Sequence, residues 1–506
     1  MNKTFKLITT LLIILFLGFQ YSIFLNEQKI APSPEWSRSL PTDGQVGDYY
    51  KLQSNPTEDG YSISRLTFKR WDYADCTYSL NCDQVWSKDN FDPQRQTWSD
   101  GNTSYFIEDE TLYSASKPEL NVPISSSVID FTKNKDILVY WRTDNKLVVQ
   151  RGNEEAQEYV TDEPVWKSMI VDDQVFVLYK SVIKNTIDIN KVVNEKVMPF
   201  AQFKTKANES IHSMDLFSLN ENQFGLFLEI GLKSGGARQK KIRSATISKI
   251  NPEPITFSDI TLVDKVSGEK LSEVNYPSVL KENNVTYMTF SANMSSGNHV
   301  FVGEFDPERI EAFPITKGGD LYTDPIMLNE DTVIYYKKVG PHKEMMYSSK
   351  LEENREISSK GLKGDSLEAF QNLFTQFFKG IMLALLSFLW IIPATGVSYI
   401  LATQLQKRGN PFVSSIMYSS YIVVMLISQL SVFSQLLKPD LMVSRIPYLS
   451  ETWHLYLILL TASVVSVLPL FLSRTKIIED NANRAIVHVT LLNLVILFIL
   501  LGPYIF

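Results

Sequence analysis

The chain holds two cysteines, Cys76 and Cys82, and they stand together in the run CTYSLNC. Thiols this close, in a domain outside the reducing cytoplasm, can close a small disulfide loop. As metal ligands they are too few for a structural zinc site, and no histidine stands nearby to complete one. The five histidines, His212, His299, His342, His454 and His488, are scattered and form no HExxH or other paired metal spacing. GxSxG, P-loop and GxGxxG motifs do not occur, so neither a cofactor nor a serine hydrolase or nucleotide chemistry is expected. An active site assembled from distant loops stays open, because sequence does not reveal such sites.

Two stretches have the composition of a binding surface. Between Trp71 and Tyr105, aromatic residues including Trp71, Trp86 and Trp98 alternate with Asp72, Asp75, Asp83, Asp89 and Asp92. Rings beside carboxylates suit a sugar, whose apolar face lies on the ring while its hydroxyls donate to oxygen. The same rings in strands equally make core. The run Asp89-Asn90-Phe91-Asp92 lacks the alternation of a calcium loop. Residues 232–244, LKSGGARQKKIRS, form a Gly-Gly hairpin carrying Lys233, Arg238, Lys240, Lys241 and Arg243. Such a tip can touch an anionic lipid surface or a phosphate-rich wall polymer, or can simply be solvated.

The basic hairpin stands out because its surroundings are acidic. Residues 26–365 hold 39 Lys and Arg against 51 Asp and Glu, a net charge of −12. A domain with that balance lacks the clustered basic footprint that phosphate backbones require, so nucleic acid is excluded as a partner.

The elements that must position these residues are repeated β-hairpins. A short apolar strand runs into an Asn, Asp or Glu turn, and a second strand rich in Val, Tyr and Phe follows. The turns fall at 134–136, 172–173, 220–222, 282–284 and 329–331, with a poorer copy over Tyr105 to Tyr113. Pro164, Pro277 and Pro325 mark the start of the incoming strand in three copies. The spacing is irregular but averages close to the roughly 40 to 50 residues of a propeller blade. An all-β, β-propeller-like domain of six or seven blades is therefore expected, with a tandem β-sandwich as the competing fold. WD dipeptides, kelch glycines and Asp-boxes do not recur, so the likeness is to an architecture and names no family.

Apolar segments bracket this domain. Residues 7–25 follow a short basic start and offer no small-x-small cleavage site, as in an uncleaved signal anchor. Four more spans occupy about 378–405, 412–436, 455–472 and 485–506, each long enough to cross the hydrocarbon core as a helix. Lys3 and Lys6, Lys407 and Arg408, and Arg474, Lys476 and Arg484 fall on one side, against Lys438 and Arg445 on the other. The positive-inside rule then puts the N-terminus in the cytoplasm and residues 26–370 outside. Pro393 is expected to kink or break the second span. Gln429, Gln435, His488 and Asn493 are polar groups that either line a path or hydrogen-bond between helices.

The organisation expected is an anchor over 1–25, a Pro- and Ser-rich linker over 26–60, a propeller-like domain over 61–360, and a transmembrane bundle over 379–506. Residues 366–378, SLEAFQNLFTQFF, form either an amphipathic helix at the membrane surface or an extension of the second span. A lysine-, isoleucine- and asparagine-rich composition fits a Gram-positive bacterium and its plasma membrane. The function this points to is binding or sensing by an external domain, with membrane lipid, an envelope ligand and a second membrane protein as partners. An enzyme acting on cell-envelope polymer and a transport or export component are the alternatives.

Overall fold

The computed structural model describes residues 3–42, 47–57, 59–67, 70–89, 96–100, 102–116, 121–181, 183–194, 196–206, 208–234, 237–250, 254–294, 297–317, 320–362, 365–379, 381–410, 412–435, 449, 451–472 and 482–502. The chain divides into two units, one of residues 31–360 and one combining 1–30 with 361–506.

The first unit is a seven-bladed β-propeller. Its seven sheets follow one another along the chain, each built mainly of consecutive antiparallel strands. Blades one to seven occupy residues 49–89, 97–125, 128–160, 167–204, 209–259, 261–314 and 322–349. Each sheet alone has an apolar face on either side, and only a neighbouring blade covers it. Trp71 in blade one, fully buried, meets Phe106 of blade two edge-on at 5.8 Å. Phe176 of blade four meets Phe224 of blade five in the same way at 5.2 Å. The hairpin turns follow from their residues. Asp172 and Asp173, and Asn283 and Asn284, all take positive φ, as two-residue hairpins require. Pro277 and Pro325 sit where strand register shifts, at bulges that spare the ladder a missing N–H.

Three details correct the expectations above. The span 26–60 is no linker: Leu40–Pro41 pairs with the outer strand of blade seven, Tyr49–Pro56 opens blade one, and Trp36 is 1 % exposed in the core of the last blades. Backbone pairing of a two-residue strand needs no apolar alternation, which is why composition hid it. The ring therefore closes on a strand from the opposite end of the domain. Second, Thr97–Ser99 is a strand ahead of the poorer copy, so Tyr105 to Tyr113 holds the second and third strands of its blade. Third, blade six has five strands, with Thr261–Asp264 added parallel to Arg309–Pro314. Helix α2 (Glu352–Lys360) follows the last blade, and Arg38 Nε donates to its Ser358 carbonyl at 2.7 Å.

The second unit is helical. It contains α1 (Lys3–Lys29), α3 (Asp365–Lys379), α4 (Ile381–Leu386), α5 (Phe388–Lys407), α6 (Val413–Gln435), α7 (Thr452–Leu472) and α8 (Ala482–Leu500). Five of these, α1, α5, α6, α7 and α8, are long and apolar enough to cross a membrane. Helix α1 packs on α3, α7 and α8 rather than standing alone, and α5 continues through Pro393. Gln429 Nε2 donates to Asn493 Oδ1 at 2.6 Å, and Ser463 Oγ donates to Gln429 Oε1 at 3.2 Å. All three side chains are buried, so these polar groups satisfy one another between helices, as expected in a medium without water. Lys438, Arg445, Arg474 and Lys476 lie outside the described residues.

Candidate functional site

The innermost strand of each blade is the one that opens its antiparallel meander, Ser272–Glu282 in blade six, so seven strands converge on one axis. They enclose a cavity of about 420 Å³ to which each blade contributes, from Gln53 in blade one through Ser168 and Asp215 to Ile326 in blade seven. Hydrogen bonds tie adjacent blades around it. Gln53 lies 2.6 Å from Thr97 Oγ1, and with its amide nitrogen turned to that threonine its oxygen accepts from Lys51 Nζ at 3.0 Å. Ser168 Oγ donates to Thr132 Oγ1 at 2.9 Å, and Lys167 Nζ donates to the Met214 carbonyl at 2.6 Å.

The inner strands also bring ionisable groups together. Lys51, Asp130, Lys167, Asp215 and Asp324 come from five different blades, all ahead of the hairpin turn, and act on one another electrostatically. Burial pushes the Asp215 carboxyl up, and neither the Lys167 ammonium nor the Leu216 N–H, 3.1 Å away, fully offsets it. Burial likewise raises Asp324, although Lys343 Nζ is 3.2 Å from it. Burial lowers Lys51 despite the nearby carboxylates of Asp130 and Asp324. Asp324 also takes a positive φ of 53° at a bulge, directly before Pro325. That conformation is uncommon for a residue with a side chain and is restricted further by the proline. A backbone bent in this way, aiming a buried carboxylate, is a feature that clusters at functional sites.

The residues singled out in the sequence are distributed differently. Cys76 and Cys82 face each other across a strand pair of blade one and are joined by a disulfide. Trp71 is core. Trp98 lines the channel, but Lys133 Nζ covers its ring at 4.6 Å, which occupies the face a sugar needs. Trp86 lies in the strand Cys82–Asp89, its side chain outside the described residues, as are Asn90, Phe91 and Asp92. The basic hairpin exists, pairing Lys233 with Arg238 along the backbone, and these two side chains are likewise outside the description. Its other cations are already neutralised: Lys240 by Glu229 at 3.0 Å, Lys241 by Asp259 at 3.0 Å, and Arg243 by Glu209 at 2.8 Å and Asp259 at 2.7 Å.

The comparisons give the chain no relative by sequence. No family model and no curated protein matches it. Solved structures do match. The N-terminal domain of Nup159 is 12 % identical at TM-score 0.35, covering 63 % of this chain and 96 % of that one. The WD40 domain of Toxoplasma gondii coronin is 8 % identical at TM-score 0.37, covering 63 % and 87 %. BBS1N, solved in complex with ARL6DN, is 7 % identical at TM-score 0.39, covering 62 % and 98 %.

A larger open groove of about 710 Å³ runs between blades three and four, with Asp162, Glu163 and Asp188 on its lip. Asp162 and Glu163 are solvent-exposed, where charge is cheap. The channel is the stronger candidate because it gathers strands from all seven blades around Lys167 and Asp215, and burial there pushes the Asp215 carboxyl up. Among the described residues, no group of three or more His, Cys, Asp and Glu side chains could hold a metal ion.

Proposed function

We propose that this chain is a multi-pass membrane protein whose propeller binds a small polar ligand in its central channel. The observation carrying this reading is a central cavity lined from all seven blades, with Lys167 and Asp215 among its lining and Lys51, Asp130 and Asp324 of three further blades within electrostatic reach of one or both lysines. Rigid inner strands preorganise those groups, and opposite charges side by side can satisfy both ends of a polar molecule. The lysine and arginine distribution along the chain supports a cytoplasmic N-terminus and a propeller outside the plasma membrane. Helix α3 supports a surface position at the lipid boundary. Leu367, Phe370 and Phe374 are each more than half exposed on one stripe, while Ala369 is fully buried on the face that packs on α1. In this reading a bound state passes through the helices to another membrane protein.

The test is thermal unfolding of the full chain in lipid nanodiscs, with N-acetylglucosamine, glutamate, lysine and inorganic phosphate added separately at millimolar concentration. At least one class should raise the propeller transition, and the rise should vanish in the Lys167→Gln, Asp215→Asn double variant. If none shifts the transition, or the double variant responds like the wild type, the channel is not a ligand site. The raised carboxyls of Asp215 and Asp324 favour a second reading, general acid chemistry on an envelope polymer. Turnover of a cell-wall fragment, lost in Asp215→Asn, would decide for it.

A further inference from the structure

Beside the channel, the seam where blade seven meets blade one holds a cation with no ion pair among the described residues. Arg65, on the second strand of blade one, is 3 % exposed. Its guanidinium lies 5.6 Å from the centre of the Tyr49 ring, and Tyr49 stacks on Tyr336 of blade seven at 5.4 Å. Two carboxylates are near, and both are already engaged. Asp72, opposite Arg65 in the strand ladder, takes its ion pair from Arg70. Asp324 is paired with Lys343 at 3.2 Å.

Among the described residues Arg65 therefore has no ion pair, and its Nε is sealed from solvent with no hydrogen-bond partner. The hydroxyl of Tyr336, a fully buried side chain, also has none. An isolated buried guanidinium is costly, and the ring beneath it returns part of that cost at most. A planar fork of N–H donors fits the two oxygens of a carboxylate or phosphate.

We propose that this seam is an anion subsite, in which Arg65 takes a carboxylate or phosphate group of the ligand, helped by the Tyr336 hydroxyl. The inference rests on the reading of the channel as a ligand site and adds the charge of what it binds. It also gives the Tyr49–Tyr336 stack a role, as the platform that holds the guanidinium in place.

The experiment uses the full chain in nanodiscs and follows the propeller transition while inorganic phosphate or acetate replaces chloride at constant ionic strength. Phosphate alone raising the transition identifies a phosphate group as the ligand's anion, and both raising it identifies a simpler carboxylate-sized subsite. In Arg65→Gln, measured against its own baseline, the apparent affinity should fall at least about tenfold, while Arg65→Lys should keep part of the response. Equal responses of wild type and Arg65→Gln, or no response to either anion, overturn the subsite. If Arg65→Gln does not fold, the wild-type comparison with Tyr336→Phe decides, since loss of one donor should weaken the response and leave the packing intact. A response to glutamate or sugar through Lys167 and Asp215, with none to phosphate or acetate, removes the subsite and leaves the channel reading standing. Silence toward every probe removes both.

Discussion

The charges of the channel and those on the outer strands of blade five are made of the same side chains in opposite circumstances. On the outside, Arg243 bridges Glu209 and Asp259 with bonds of 2.8 and 2.7 Å. Burial pulls the guanidinium down, but those bonds more than reverse it and hold Arg243 above its usual value. Burial also works against the Asp259 carboxylate, and there the bonds from Arg243 and Lys241 prevail and hold it below the usual range. In the channel, burial prevails instead: Asp215 and Asp324 are pushed up and Lys51 down. These directions predict that the outer cluster stabilises the blade that carries it and that the inner charges cost the propeller stability. On the proposed reading, groups kept at such a cost are kept for a ligand.

The comparison breaks most visibly at Lys167, which serves both purposes. Its Nζ joins blade four to the Met214 carbonyl of blade five and supplies the cation nearest Asp215. Lys167→Met should destabilise the propeller by about 2–3 kcal/mol at neutral pH, because it strands a buried carboxylate and a carbonyl together. Adding Asp215→Asn should recover part of the loss. Thermal or denaturant unfolding of the full chain measures both, and a double variant no better than the single would show that the two residues do not interact. Arg243→Gln should cost less, about 1–2 kcal/mol, since Asp259 is half exposed and only Glu209, 4 % exposed in its side chain, is left buried without its partner. No loss on unfolding would mean that the outer cluster does not stabilise its blade.

Which of these features could be read in the sequence follows from what each depends on. The blades were legible because turn chemistry is local: Asp172-Asp173 and Asn283-Asn284 demand positive φ wherever they stand. The closing strand was not, because Leu40–Pro41 is defined by a partner some three hundred residues away. The ring of charges was half legible. Asp130, Lys167, Asp215 and Asp324 each lie a few residues ahead of a turn that the repeat already located, so aligning the hairpins stacks them. Nothing local says that this position faces an axis rather than solvent. The basic hairpin shows the converse, since a run of cations in the sequence gives no sight of the carboxylates that neighbouring strands bring to Lys240, Lys241 and Arg243. Arg65 carried no signal at all: its lack of a partner is a property of the seam.

Acid should separate the two regions by sign. Asp259, held below its unfolded value, contributes stability above the unfolded carboxyl range and loses it as pH falls through the folded value. Asp215, raised in the folded state, works in reverse: the folded protein takes up its proton first, so stability rises as pH falls through the folded value toward the unfolded one near 4. Asp259→Asn should therefore destabilise at neutral pH and become neutral in acid. Asp215→Asn, whose amide oxygen still accepts from the Leu216 N–H, should stabilise at neutral pH and also become neutral in acid. Unfolding midpoints of both variants across pH 3 to 8 test this, and parallel curves would erase the distinction between channel and outer strand.

Lys51 offers the smallest and most selective version of the same test. Burial lowers it, Lys167 adds to the penalty, and Asp130 and Asp324 oppose both, so the net cost is what survives several partly cancelling effects. Below the folded value the lysine is charged in both states and the folded state bears the full cost. As pH rises through that value the folded state sheds its proton first, and the cost is gone above the unfolded value near 10. Lys51→Met, which keeps the stem's bulk, should therefore stabilise modestly at neutral pH, with a gain that fades on the alkaline side. A lysine that merely completed an ion pair would give the reverse, a loss at neutral pH. That outcome would place Lys51 with Arg243 as scaffold and take it out of the ligand site.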